Sequence, residues 1–285
     1  MNDKPDRQRM KGRTVLVTGA TDGIGKETAL GLAAMGATVL VHGRDGARCR
    51  TVVDDIRRLT GKTDAETFVA DLSSQQQIRR LASDIHEQHG GLHVLINNAG
   101  VYVPSRQTTG EGLEMTFAVN HVAPFLLTHL LIDLLKAGAP ARIVNVSSTS
   151  HTQARLDFDN LQGEKKYHPY GAYALSKLGN VFFTYEIAKR LEGTGVTANC
   201  LHPGVIDTKL LRAGFPSLTG AAVPDGAATS IYVASAFNVE GVTGRYFVKK
   251  KEEPSSPLSH DRAVRKQFWD VTARLCHCDP DTAFS

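Results

Sequence analysis

Short runs of β-branched and aliphatic residues alternate along the chain with longer stretches of helical period. Thr14-Val15-Leu16-Val17, Thr38-Val39-Leu40-Val41, Phe68-Val69-Ala70, Val94-Leu95-Ile96, Arg142-Ile143-Val144-Asn145-Val146 and Val196-Thr197-Ala198-Asn199-Cys200 are apolar at consecutive rather than alternating positions. Such runs predict strands buried on both faces, as in a parallel sheet covered by helices. Between them, the Ala- and Leu-rich stretch 26–35 predicts one helix, and Val52, Ile56 and Leu59 mark the buried face of a second. The alternation is that of βαβ units, so the expected class is a single large α/β domain with a mostly parallel sheet. Two segments break the rhythm, 151–169 and 207–224. Both follow strands, where loops form a ligand crevice, and both are candidate substrate walls. The polar, Pro-containing stretch 249–257 precedes a final predicted helix, Arg262–Leu275.

Composition narrows the function without naming it. The 285 residues are 41% hydrophobic and 22% charged, which is globular. A net charge of +4 with no block of like charge gives no reason to expect a nucleic-acid or membrane partner. Cys49, Cys200, Cys276 and Cys278 are too few and too scattered for a disulfide framework, and Cys276-His277-Cys278 lacks a second ligand pair. The histidines show no metal spacing, and His42, His121, His129 and His202 are taken as structural, so no metal is expected. The charged N-terminus has no apolar stretch of the signal-peptide kind. The longest apolar-rich segment, 122–135, is interrupted by Pro124, His129 and Asp133 and is too short to span a bilayer. The expectation is a soluble cytoplasmic protein without a membrane anchor. The sequon Asn145-Val146-Ser147 lies on a predicted buried strand and is set aside.

Chemistry first appears after the first strand, in Thr18-Gly19-Ala20-Thr21-Asp22-Gly23-Ile24-Gly25. Glycines there permit a tight turn and a close backbone approach to a pyrophosphate, and the following helix offers free N–H groups and a partial positive charge. Gly25-Lys26 resembles the end of a nucleotide-triphosphate loop, but Glu27 replaces the hydroxyl that would bind magnesium. After the second strand, Arg44 lies 19 residues beyond Gly25. An arginine there can clamp the 2′-phosphate of NADP, whereas an acid would favour NAD. Asp45 beside it is placed either to meet a ribose or to cap the next helix. The reading favours NADP.

Tyr173 and Lys177 stand at i and i+4 of a predicted helix and therefore on one face. Tyr173 comes 25 residues after Ser148, which follows the strand ending Asn145-Val146-Ser147. Upstream are Asn97-Asn98-Ala99-Gly100 after the fourth strand and Asn120 in a helical stretch. The set in this order resembles the short-chain dehydrogenase/reductase family over roughly residues 11–248. Within it, Arg44-Asp45, the long gap from Ser148 to Tyr173, and Leu201-His202-Pro203-Gly204-Val205 are most similar to retinol-dehydrogenase-type members.

The resemblance implies a doubly wound Rossmann-type domain of about seven strands over 11–250, with 251–285 as a C-terminal extension. It implies Tyr173 as catalytic acid/base, Lys177 as its partner and cofactor contact, Ser148 as the hydroxyl that positions the carbonyl, and Asn120 as the fourth member. Asp71-Leu72 would meet the adenine. Asn98, Ala99 and Gly100 would run along the cofactor, and Pro203, Gly204, Val205 and Thr208 would flank the nicotinamide. The implied activity is NADP(H)-dependent interconversion of alcohol and carbonyl on a small lipophilic substrate, by an enzyme that is a homo-oligomer, as family members commonly are. A carbonyl accepting hydride becomes an alkoxide that needs a proton, and an ammonium beside a phenol should lower its pKa. Asn120 would hold a water linking Lys177 to solvent. Two other readings stay open: an NAD-dependent dehydrogenase of a steroid or sugar alcohol, and a non-catalytic dinucleotide sensor.

Overall fold

The computed structural model describes residues 8–61 and 65–279. The N-terminal residues 1–7, part of the charged segment read above, and residues 280–285 of the C-terminal extension lie outside the described residues. Eight strands form one sheet: β1 (Thr14–Val17), β2 (Thr38–Gly43), β3 (Glu66–Val69), β4 (Val94–Asn97), β5 (Ala141–Val146), β6 (Val196–His202), β7 (Tyr246–Val248) and β8 (Lys251–Glu252). Their order is β3-β2-β1-β4-β5-β6-β7-β8. β1 to β7 are parallel, and β8 turns back antiparallel on β7, with Val248 opposite Lys251. The sheet thus has the seven parallel strands expected plus a two-residue hairpin partner that no hydrophobic run announced. The chain reverses between β1 and β4, which opens a crevice at the carboxyl ends of these strands.

Helices cover both faces: α1 (Gly23–Ala34), α2 (Gly46–Thr60), α3 (Gln75–Gln88), α4 (Met115–Phe117), α5 (Ala123–Leu130), α6 (Ile132–Ala137), α7 (Pro169–Arg190), α8 (Lys209–Gly214), α9 (Val223–Ser235) and α10 (Arg262–Leu275). One apolar layer joins Leu16, Leu95 and Ile143 to α3, α5 and α7, and the other joins Val15, Val17 and Val144 to α1, α2 and α9. Double burial is why the central strands are mostly apolar, whereas β3 at the sheet edge buries only Phe68 and leaves Val69 53% exposed, against the expectation for that run. In α2, Val52 and Ile56 are buried as expected, but Leu59 is 57% exposed. It sits in the last turn before Gly61 ends the helix in the left-handed region, beyond the reach of the sheet.

The sequence division at residue 250 falls between β7 and β8. α10 buries Phe268 and Trp269 in the layer shared with α5 and α7, where the indole meets Phe125 edge-on at 4.7 Å and Phe183 face-on at 5.9 Å. The C-terminal residues therefore complete the core beneath α7.

Candidate active site

The carboxyl ends of the central strands open into a cleft of about 1150 Å³. Every residue singled out in the sequence for cofactor or catalysis lines it except Asn120 and Asp45. At its floor Gly19 adopts φ +65°, and the Asn98 amide donates to Thr18 O at 2.8 Å. A Cβ on Gly25 would collide with the Gly19 carbonyl and the Asn98 amide, so the turn is closed around backbone alone. Asp22 caps α1 through the Gly23 N–H. His42 accepts from Gly19 N at 3.3 Å and contacts Ala70 O at 3.2 Å, so it braces the turn. Burial pushes its pKa down to about 4 and keeps it neutral.

Two arginines stand at one end of the cleft. Arg44 is exposed and pairs with none of the described carboxylates. Asp45 is spent on capping α2, accepting from Ala47 N at 2.8 Å and Arg48 N at 3.2 Å. That cap aims Arg48 back at the turn, with Nη2 3.0 Å from Asp22 Oδ2. From the far side Lys209, at the start of α8, reaches the same carboxylate at 2.6 Å. Chiefly through Lys209, Asp22 is held below the usual carboxylate range. Arg48 was missed because its direction depends on the cap rather than on distance from the glycines.

At the other end, β5 delivers Ser147 and Ser148 with opposite duties. Ser147 donates to Lys177 O at 2.8 Å and ties β5 to α7, while Ser148 caps the short 3-10 helix Thr149–Gln153 and faces the cleft. Tyr173 and Lys177 are one turn apart on α7, with exposures of 6% and 3%. Lys177 Nζ donates to Val146 O at 3.0 Å and lies 5.7 Å from the centre of the Tyr173 ring. Burial pushes the Tyr173 phenol up to about 12, against a smaller pull from the Ser148 hydroxyl, and it pushes Lys177 down to about 8. The sequence argument had Lys177 lowering the phenol. In the folded site desolvation raises it, because the phenolate would be formed where water is excluded.

Asn120 sits behind the cleft in a π-helical turn, Ala118–Val122, at 0% exposure. Its Oδ1 accepts from Val101 N at 2.7 Å, and its Nδ2 donates to Val101 O at 3.0 Å and Ser176 Oγ at 3.0 Å. Both amide hydrogens are committed, so this side chain clamps the strand-end segment that carries Gly100.

The walls around Tyr173 are aromatic. Tyr102 lies 5.8 Å from Tyr173 and 5.4 Å from Phe215, and Phe215 lies 5.8 Å from Tyr173. Of the two expected wall segments, 207–224 supplies α8, Phe215 and Leu218. From 151–169 only Thr152 and Gln153 touch the cleft. Tyr167 turns away to donate to Val103 O at 2.9 Å, and Leu161 joins the core. Tyr102 went unnoticed in the sequence, although its place just beyond Asn98-Ala99-Gly100 was the available signal.

The family model for short chain dehydrogenases matches residues 13–217. This chain belongs to the short-chain dehydrogenase family. The dehydrogenase is 42% identical to human (Homo sapiens) retinol dehydrogenase 13, over 95% of this chain and 86% of that protein. It is 40% identical to human retinol dehydrogenase 14, over 92% of this chain and 86% of that one. Among solved structures, an uncharacterised protein of Mycobacterium paratuberculosis superposes with a TM-score of 0.79 at 29% identity, covering 94% of this chain and 95% of that one. A short chain dehydrogenase of Escherichia coli CFT073, complexed with NADPH, superposes at 0.72 and 26% identity, covering 87% of this chain and 100% of that one. Among the described residues of the dehydrogenase, no helix is long and apolar enough to cross a membrane, and no group of three His, Cys, Asp or Glu is placed to hold a metal ion.

Proposed function

We propose that this dehydrogenase is an NADP(H)-dependent enzyme that interconverts alcohol and carbonyl on lipophilic, retinoid-like or steroid-like substrates, working as a carbonyl reductase at neutral pH. The observation that carries the reading is one cleft with Ser148, Tyr173 and Lys177 at one end and the arginine pair Arg44 and Arg48 at the other. The turn fits a dinucleotide, because Gly19 and Gly25 leave a cradle that a Cβ would fill, at the N-terminus of α1. Gly19, Thr21, Asp22, Gly23, Ile24 and Gly25 would hold the pyrophosphate, Asp71 and Leu72 the adenine, and Asn98, Ala99, Gly100, Pro203, Gly204, Val205 and Thr208 the nicotinamide half. Arg44, with Arg48 behind it, would take the 2′-phosphate. Asp45 is committed to its cap, which weighs against an acid-to-ribose contact of the NAD type.

When bound, NADPH supplies the hydride. Ser148 donates a hydrogen bond to the substrate oxygen, and Tyr173 delivers its proton there as negative charge develops. A phenol with a pKa near 12 is protonated throughout the neutral range and is ready to donate. Lys177 keeps an ammonium within reach of the phenolate left behind, so the proton transfer does not strand an uncompensated buried charge. Asn120 acts by fixing Val101, and with it the floor beside Lys177. A homo-oligomer in the cytoplasm completes the reading, and the free thiols Cys49, Cys200, Cys276 and Cys278 are in keeping with a reducing compartment.

Turnover of an apolar aromatic aldehyde with NADPH, compared with NADH and with a sugar alcohol plus NADP, tests the assignment. NADPH with the apolar aldehyde should be the fastest combination, and equal rates with NADH would remove the cofactor preference. Phe215→Ala should raise KM for the apolar aldehyde by about five- to tenfold, the loss of roughly 1–1.4 kcal/mol of apolar contact, and leave KM for NADPH unchanged. Steady-state kinetics of the variant check it, and an unaltered aldehyde KM removes Phe215 from the substrate wall.

A further inference from the structure

The histidine beside the catalytic serine has no part in the chemistry above. His151 lies in the 3-10 helix Thr149–Gln153 and is 1% exposed. Its Nδ1 is 2.6 Å from the Ser148 carbonyl oxygen, which also accepts the His151 amide at 3.1 Å. Its Nε2 accepts the backbone N–H of Ser256 at 3.0 Å, from 105 residues further along the chain. A carbonyl only accepts and an amide N–H only donates, so the two contacts together require a neutral ring protonated on Nδ1. Burial keeps the ring neutral by lowering its pKa, and Tyr246 packs edge-on against it at 4.9 Å.

Ser256 is itself anchored. Its carbonyl accepts from Ser259 Oγ at 2.6 Å, and neighbouring Ser255 Oγ lies 2.6 Å from the Tyr185 hydroxyl on α7. One imidazole therefore ties the backbone of Ser148 to a C-terminal segment that is fastened to the helix bearing Tyr173 and Lys177. The Ser148 hydroxyl meets Ser150, whose amide and hydroxyl each lie 3.2 Å away, and the Tyr173 phenol, so the backbone that carries it sets its direction between them.

We propose that His151 is a positioning residue that sets the Ser148 hydroxyl by clamping the Ser148 carbonyl to Ser256. The inference rests on the reductase reading for the role of Ser148. It makes the C-terminal segment a working part of the active site. A donor misplaced by an ångström loses much of its value in the transition state.

The test is a double-mutant cycle with kcat and KM measured separately. His151→Phe should lower kcat about tenfold with KM for NADPH changed by less than about twofold. In a Ser148→Ala background the same substitution should cost less than about twofold, because the hydroxyl it positions is gone. An equal loss in both backgrounds would mean a general structural role and would overturn the inference. An unchanged kcat of His151→Phe in the wild-type background would likewise overturn it. Nitrogen NMR of the imidazole gives a readout that needs no turnover. It should show the neutral Nδ1–H tautomer at neutral pH, and the Nε2–H tautomer would contradict the clamp. The Nδ1–H tautomer in a protein inactive with both nicotinamide cofactors would overturn the reductase reading and not the clamp.

Discussion

Tyr173→Phe should lower the rate of carbonyl reduction by about 10³-fold while leaving the fold and NADPH affinity nearly unchanged. The substitution removes one oxygen and keeps the ring that packs at 5.8 Å against both Tyr102 and Phe215, so the aromatic wall survives. What disappears is the proton donor. Ser148 alone can stabilise a developing oxyanion but is a far weaker acid, and Lys177 is directed to the Val146 carbonyl. Single-turnover measurement with pre-bound NADPH separates chemistry from binding. A Tyr173→Phe enzyme within a few-fold of the wild-type rate would place the acid elsewhere. The pH dependence follows from the direction of the shifts. With Tyr173 raised to about 12, its proton stays available through the neutral range, whereas Lys177, lowered to about 8, loses its charge first. Reduction should therefore decline on the alkaline side near the lysine value, well before the tyrosine titrates.

Arg44→Ala should weaken NADPH roughly ten- to a hundredfold and change NADH affinity by less than about twofold. Arg44 is exposed and makes no ion pair with the described carboxylates, so its fork is available to a phosphate. Arg48 is already engaged by Asp22 at 3.0 Å, so Arg48→Ala should have the smaller effect. Raising the salt concentration should narrow the gap between wild type and Arg44→Ala, because a contact at an exposed rim is screened. Binding of both nucleotides followed by intrinsic fluorescence or calorimetry checks this, and equal loss for NADPH and NADH would remove the 2′-phosphate from Arg44.

Features set by local chemistry were legible in the sequence. Strands buried on both faces show themselves as mostly apolar runs, and the turn needs glycine where Gly19 and Gly23 take positive φ. Tyr173 and Lys177 share a helix face by spacing alone. Features that depend on distant parts of the chain meeting were not legible. Arg48 is aimed by the cap at Asp45, Tyr102 meets Phe215 across more than a hundred residues, and His151 finds Ser256 only after the C-terminal segment has packed on α7. The upward pull on the tyrosine was hidden for a related reason. Spacing reveals a neighbouring ammonium, but the desolvation that raises the phenol exists only once α7 is buried. Likewise the polar, aromatic stretch 151–169 promised a substrate wall, yet Leu161 is drawn into the core, Tyr167 turns to the Val103 carbonyl, and only the first residues face the cleft.

Hydride transfer itself is the most direct test of the central claim. The protein would be given an apolar aromatic aldehyde and NADPH deuterated at the transferable position of the nicotinamide, and the products would be analysed by mass spectrometry. The account predicts an alcohol carrying one deuterium on the former carbonyl carbon, formed together with an equal amount of NADP, and lost in Tyr173→Phe. An alcohol without deuterium, or no consumption of either NADPH or NADH by a folded protein that binds them, would contradict it.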